Sequence, residues 1–206
     1  MPDASPNPWL CALSLAMAFI VAGALQATWL YSKTARRFGK PLDGGRKFRG
    51  QRIFGDNKTW RGFVVMIPAT GLAFVLMGWI NRRLSTTALP GTSLIETMYG
   101  LWPIEWWQYG LLGCWAGFGF MLAELPNSFL KRQWNVQPGE TPQKPWARRI
   151  CFVLDQVDSV CGALLAISMF VAVPVLTWII LLLAGTFIHW LFNVVLLVVG
   201  AKKRAA

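Results

Sequence analysis

Charge is what this chain has least of, and one sign dominates what there is. Only 14% of its 206 residues are Asp, Glu, Lys or Arg, with 9 acidic against 20 basic, where an ordinary water-soluble domain carries about a quarter. Hydrophobic residues fill 55% of the positions. They fall in long uninterrupted blocks instead of alternating with polar residues, so the class is an all-α integral membrane protein. Histidine occurs once and cysteine four times, with no CxxC and no Cys/His ligand spacing. That excludes a zinc site, and Cys11, Cys114, Cys151 and Cys161 read as small residues in or beside apolar blocks. Internal repeats and low-complexity tracts are absent as well. Loops of about 20 to 30 residues leave no room for a soluble domain, so residues 1–206 read as one membrane-embedded domain.

Five apolar blocks are present: Trp9 to Tyr31, Gly62 to Ile80, Gln108 to Phe129, Phe152 to Val173, and Val175 to Val199. Each has about the 20 residues a helix needs to span the hydrocarbon core. The first lacks a preceding Lys or Arg and is too long for a cleavable signal peptide. Pro174 separates the last two, and without a charged residue between them the connection must be a tight turn at the far surface.

A net charge of +11 suggests a nucleic-acid partner until its distribution is considered. Ten Lys or Arg lie between Ser32 and Arg61, five between Phe129 and Ile150, and Lys202, Lys203 and Arg204 close the chain. The loop from Asn81 to Trp107 balances two basic residues with two acidic ones. By the positive-inside rule the basic loops and the C-terminus are cytoplasmic, and about five transmembrane helices then put the N-terminus outside. Such loops suit topology and anionic headgroups, and no nucleic-acid partner is expected.

Any site must therefore be built from helix ends and cytoplasmic loops. In the third block, Gly113 and Gly117 are four apart and allow close approach of another helix. Beyond them, "AELPNSFLKR" places Glu124, Asn127, Ser128, Lys131 and Arg132 around Pro126. The spacings of three and four put Glu124, Ser128, Lys131 and Arg132 on one helical face. Lys131 and Arg132 could serve as snorkelling anchors, but Glu124 has no such role. The fourth block opens with "FVLDQVDSV", whose Asp155 and Asp158 share a face. Two such carboxylates repel each other and lose hydration unless Lys or Arg pairing or a divalent metal compensates. His189 and Asn193, one turn apart on the fifth block, are expected to face a polar cavity.

Together with "GDNKTWRG", "PGETP" and "HWLFN", these segments resemble the CDP-archaeol synthase family from about residue 50 onward. Bacterial phosphatidate cytidylyltransferases are similar, more distantly, in a Lys-Thr-Trp-x-Gly motif at Lys58, Thr59, Trp60 and Gly62, a Ser-x-x-Lys-Arg motif at Ser128, Lys131 and Arg132, and an Asp-x-x-Asp motif at Asp155 and Asp158. One departure is Ala123-Glu124, where relatives tend to have Gly-Asp. The resemblance implies transfer of CMP from CTP to a phosphorylated membrane lipid, with release of pyrophosphate and a need for Mg2+.

That reaction joins two anions, so cations are required. On this reading Asp155 and Asp158, with Glu124, hold Mg2+, while Lys58, Lys131 and Arg132 hold phosphate charge. Asn57, Thr59, Trp60, Arg61, Asn127, Ser128, His189 and Asn193 complete the substrate-binding set. The alternatives are the same chemistry on phosphatidate, and a non-catalytic protein that binds anionic lipid or a partner. The expected location is the cell (inner) membrane, with the site on the cytoplasmic side. Reporter fusions check the topology: fusions near Gly45 and at the C-terminus should report cytoplasm, and a fusion near Thr92 the opposite side.

Overall fold

A computed structural model describes residues 6–30, 32–87, 101–138 and 140–198. Its five α-helices are α1 Pro8–Leu30, α2 Trp60–Thr87, α3 Trp106–Gln133, α4 Pro145–Ser168 and α5 Val175–Val198. Between α1 and α2 lie a short 3-10 turn, Thr34–Phe38, and a small antiparallel hairpin of β1 Lys47–Phe48 and β2 Gln51–Arg52. Asn7 starts α1, its Oδ1 accepting from the N–H groups of Trp9 and Leu10 at 3.0 and 3.2 Å.

Each predicted block contains a helix, but the fourth is displaced. The sequence predicts Phe152 to Val173, whereas α4 runs Pro145–Ser168. Pro145 suits the first turn of a helix, where its missing N–H costs nothing, and Arg148 and Arg149 are exposed on the early turns. Asp155 therefore lies about 15 Å along the helix and not at its mouth. Three helical stretches among the described residues are long and apolar enough to cross a membrane: Pro8–Leu30, Trp60–Arg83 and Pro145–Ser168. Val175–Phe187 is apolar but shorter. In α3, Glu124, Lys131 and Arg132, with several glycines and tryptophans, dilute the apolar character.

The helices turn large apolar side chains outward. Leu72, Leu111, Leu165, Leu183 and Phe187 are all at least 60% exposed, an arrangement suited to lipid and not to water. Small and polar residues fill much of the interior instead, including Ala12, Ala18, Ala73, Ala116, Ala163, Thr70 and Thr177. α3 is the central helix, packed on α2 along one side and on α4 along the other.

Glycine permits both contacts. A Cβ on Gly113 would lie 2.6 Å from the Thr70 carbonyl, and one on Gly117 2.9 Å from that of Met66, so the pair read from sequence as a packing signal faces α2. The contact with α4 uses Gly119 and Gly162, where a Cβ on Gly119 would meet the Gly162 carbonyl at 2.6 Å. At one end of the bundle Trp102 Nε1 donates to the Ala172 carbonyl (2.8 Å) and Thr177 Oγ1 to that of Pro8 (3.0 Å). The hairpin, the start of α2, the end of α3 and the start of α4 gather at the other. A Gly162→Leu variant should lose about 1–3 kcal/mol or more, because backbone blocks the added atoms. Leu165→Ala, on the exposed face of α4, should stay within about 0.5 kcal/mol of the parent; thermal midpoints in detergent check both.

Candidate active site

Lys58 emerges from the loop before α2 and pairs with Glu124 on α3, both side chains being about three-quarters buried. One turn further along α3, Asn127 uses its amide nitrogen twice, donating to Asp155 Oδ1 at 2.7 Å and to Asp158 Oδ2 at 3.1 Å. Another turn on, Lys131 Nζ reaches both oxygens of Asp155 at 2.5 and 2.6 Å. Ser159 closes the chain of contacts. Its Oγ lies 3.0 Å from Glu124 Oε1 and 3.1 Å from Asp158 Oδ1, and its N–H donates to the same Asp158 oxygen at 2.7 Å. Lys58, Glu124, Ser159, Asp158, Asn127, Asp155 and Lys131 thus form one continuous polar track between α3 and α4.

Local helix geometry accounts for the track. Glu124, Asn127 and Lys131 recur at intervals of three and four on α3, and on α4 Asp158 and Ser159 lie three and four residues after Asp155, so each set falls on one side of its helix. Pro126 cannot donate a backbone hydrogen bond within α3, and Ser128 Oγ makes a local bond to the Glu124 carbonyl at 2.9 Å. The balance of charge is unusual. Three carboxylates meet two ammonium groups, and among the described residues no Lys or Arg is paired with Asp158. Asn127 Oδ1 is buried with no hydrogen-bond partner, an acceptor left open beside those carboxylates. No group of three or more His, Cys, Asp or Glu among the described residues converges closely enough to form a metal cage.

Arg132 leaves this track. Adjacent helical residues point about 100° apart, and while Lys131 turns to α4, Arg132 turns to the loop around the hairpin. There it is buried, donates to the Val136 carbonyl and packs beneath Gly55. A Cβ on Gly55 would lie 3.2 Å from Arg132 Nε, which has no hydrogen-bond partner. Arg52, Gly55, Asp56, Arg132, Val136 and Pro138 help line a cavity of about 150 Å³ at this point. The single face expected for Lys131 and Arg132 is therefore divided between two neighbouring places.

The other residues of the Lys58 segment surround it. Thr59 is buried and bridged to Pro41, Asn57 is exposed, Arg61 is half-buried, and the half-exposed Trp60 ring stands 6.3 Å from that of Phe63. His189 and Asn193 occur along α5, but their side chains lie outside the described residues.

Asp43 organises the loop from within. Its buried carboxylate accepts from Arg52 Nε and Nη2 at 3.2 and 2.6 Å, and from the N–H groups of Gly45, Phe54 and Gly55 at 3.0, 3.0 and 3.1 Å. Burial pushes its pKa up, but Arg52 and the three amides outweigh burial and hold it well below the usual carboxylate range. Sequence reasoning singled out neither Asp43 nor Ser159. Ser159 had a signal, four residues from Asp155 and so on its stripe; Asp43 had none, because its partners follow from the loop path.

A family model described as CarS-like, CDP-archaeol synthase, matches residues 29–204. The chain belongs to the CDP-archaeol synthase family. The CDP-archaeol synthase of Methanoculleus marisnigri is 29% identical over 174 residues, covering 80% of this chain and 89% of that protein. The synthase of Thermococcus kodakarensis is 31% identical over 158 residues, covering 74% of each. Among solved structures, an intramembrane enzyme for archaeal membrane lipid biosynthesis matches with TM-score 0.57 and 20% identity, over 92% of this chain and 96% of that one. That likeness is one of fold. With three helices apolar enough to span, this family member is an integral membrane protein.

The low Asp43 pKa has a sign that can be checked. A carboxylate depressed on folding adds stability that is fully present above the unfolded value of about 3.9 and lost as pH falls through the folded value. Hydrogen exchange at the Phe54 and Gly55 amides should therefore show unchanged opening free energy from pH 7 to 5. Opening should become easier only below about pH 4.

Proposed function

We propose that this CDP-archaeol synthase family member transfers CMP from CTP to the phosphate of a membrane lipid, giving a CDP-lipid and pyrophosphate. The observation that carries this reading is the polar track, with two lysines and three carboxylates inside an apolar bundle. A passive anion binder has no use for Glu124, Asp155 and Asp158 beside its cations. The five helices all serve as spans, and the loop carrying Lys58 and the end of α3 carrying Lys131 and Arg132 face the cytoplasm, where CTP is found.

In the reaction an oxygen of the lipid phosphate attacks the α-phosphorus of CTP, and the bond from that phosphorus to the bridging oxygen of the β-phosphate breaks. Charge collects on the departing pyrophosphate. Lys58 and Lys131, engaged with Glu124 and Asp155, are within reach of exchanging a carboxylate for a phosphate oxygen, and Arg132 offers a planar fork to another. Thr59 and Asn57 add neutral hydrogen bonds beside Lys58, and Ser128 and Arg61 flank the phosphates. Trp60 marks the interfacial depth.

The donor set fits a small hard cation. Asp158 has only neutral donors around it, Asp155 adjoins it through Asn127, and the open Asn127 Oδ1 is an oxygen donor of the type Mg2+ takes. Asp155 and Asp158, with Asn127 and Glu124 beside them, would hold Mg2+. Bound there, the ion supplies neutralisation of phosphate charge. An ether-linked isoprenoid glycerophosphate is the lipid, following the family.

The test incubates purified protein with labelled CTP and Mg2+ against a panel of lipid phosphates that includes the isoprenoid ether and phosphatidate. CDP-lipid should form with the ether lipid; no product from any lipid would reject the activity, and product from phosphatidate alone would reject the lipid. Asp158→Asn should lower turnover by more than about a hundredfold while leaving the fold intact. Asp155→Asn should also lower the thermal midpoint, because Lys131 loses its partner.

A further inference from the structure

Lys58 sits in a loop, yet its segment is held at both ends by groups that take no part in the polar track. On the far side, residues 40–42 run alongside residues 58–60. The Leu42 N–H donates to the Lys58 carbonyl at 2.8 Å, the Trp60 N–H donates to the Lys40 carbonyl at 3.2 Å, and Pro41 bridges Thr59 between them. Asp43 follows directly after this clamp. Its carboxylate then gathers the near side, taking the Phe54 and Gly55 amides and the Arg52 guanidinium. The other arm of Arg52 reaches Asp56 at 2.8 Å. One side chain thus ties residues 52, 54 and 55 directly, and residue 56 through Arg52, to the strand-like stretch that grips residues 58–60.

The backbone of this stretch is bent in ways that require such a tie. Gly55 has φ +86°, a conformation that side chains rarely adopt, and a Cβ there would crowd Arg132 Nε at 3.2 Å and Pro138 at 3.4 Å. A turn of this kind has little intrinsic preference for one shape. The carboxylate beneath it supplies that preference through two amide hydrogen bonds at 3.0 and 3.1 Å.

We infer that Asp43 is a positioning residue for nucleotide binding, holding the Phe54 to Lys58 loop so that Lys58 and the cavity beside Arg132 receive the phosphates of CTP. It acts through Gly55 and Arg52 and touches no reacting group. This inference rests on the cytidylyltransferase reading and adds to it a residue outside the family motifs quoted above. Because the loop contributes to the water-facing side of the site, the effect belongs to the nucleotide and not to the lipid.

The test measures kcat and KM for each substrate in the parent protein, in Asp43→Asn and in Arg52→Gln, with thermal midpoints for all three. Asp43→Asn keeps the size of the side chain but presents an NH2 to a donor, so the loop should lose its fixed shape. The KM for CTP should rise about tenfold or more, with kcat within about threefold and the KM for lipid unchanged. Arg52→Gln leaves the three amide bonds to Asp43 in place and should give a smaller rise in the same constant. A purely structural role predicts a different pattern: a lower midpoint and lower kcat from a smaller active fraction, with both KM values unchanged. That pattern, or an unchanged KM for CTP in a well-folded Asp43→Asn protein, would overturn the inference. If Asp43→Asn does not fold, the Arg52→Gln constants decide, with an unchanged KM for CTP again overturning it. Failure of the parent protein to use CTP at all would instead remove the cytidylyltransferase reading, and the parent is measured first.

Discussion

Three carboxylates gathered beside two ammonium groups inside an apolar bundle form the constraint from which the rest of this structure follows. Unit charges a few ångströms apart interact by several kcal/mol at the effective dielectric of a protein interior, so Glu124, Asp155 and Asp158 cannot be brought together without compensation. Asn127 and Ser159 supply part of it as neutral donors, each placed between two of the acids. Lys58 and Lys131 supply the rest, one from the loop and one from α3. The remaining negative charge makes the track receptive to a cation, and the lysines make it receptive to phosphate. The metal-assisted reaction between anions proposed above would need both properties at once.

Keeping that track in register demands that α3 touch α2 and α4 closely, and the small residues allow it. Gly113 and Gly117 bring the backbone of α3 against that of α2, whose first residues follow Lys58 directly. Gly119 and Gly162 do the same for α4, within two turns of Glu124 and Asp158. Lipid tails are as apolar as leucine, so burial of apolar surface contributes little to helix association in a membrane. Close packing and interhelical hydrogen bonds take its place. The polar track is therefore part of what joins α3 to α4 as well as the place where substrates would meet.

Much of this was readable from residue spacing, and the failures have physical causes. The five apolar blocks each contain a helix, three of them long and apolar enough to cross a membrane, because length and composition fix such a segment before tertiary contacts are considered. The fourth was placed late because Arg148 and Arg149 look like a loop, while a helix can carry charged residues on an exposed early turn. The pairing of Asp155 with Asp158 on α4 followed from their spacing, but on α3 the intervals grouped Ser128 and Arg132 with Glu124 and Lys131, whereas the structure puts Asn127 in the track, bonds Ser128 to the Glu124 carbonyl and turns Arg132 to the loop. What spacing could not supply was pairing across elements: that Asp155 takes Lys131, that Glu124 takes Lys58, and that Asp43 takes two amides eleven and twelve residues onward. Those contacts depend on the path of loops, and loop paths carry no periodicity.

The neighbouring cations at the end of α3 show how the fold serves two places from one helix end. Lys131 and Arg132 are adjacent in sequence, so their side chains leave the helix about 100° apart. Lys131 points between α3 and α4, where Asp155 holds it in the bundle. Arg132 points to the loop before α2, where Gly55 leaves space beside its Nε and the cavity opens between the hairpin and residues 136–138. A single flexible cation could serve either place but not both together. Two adjacent ones, fixed on a rigid helix, keep the polar track within the bundle and the loop cavity at a constant separation. On the proposed reaction, a lipid phosphate held by the membrane and a nucleotide arriving from water would need the same thing, because their reacting atoms must come within about 3.5 Å in line. Arg at the loop position adds bidentate geometry, and Lys in the bundle adds a compact charge that can exchange carboxylate for phosphate. The step from Lys131 to Arg132 along α3 is thus the step from the polar track within the bundle to the cavity of the loop.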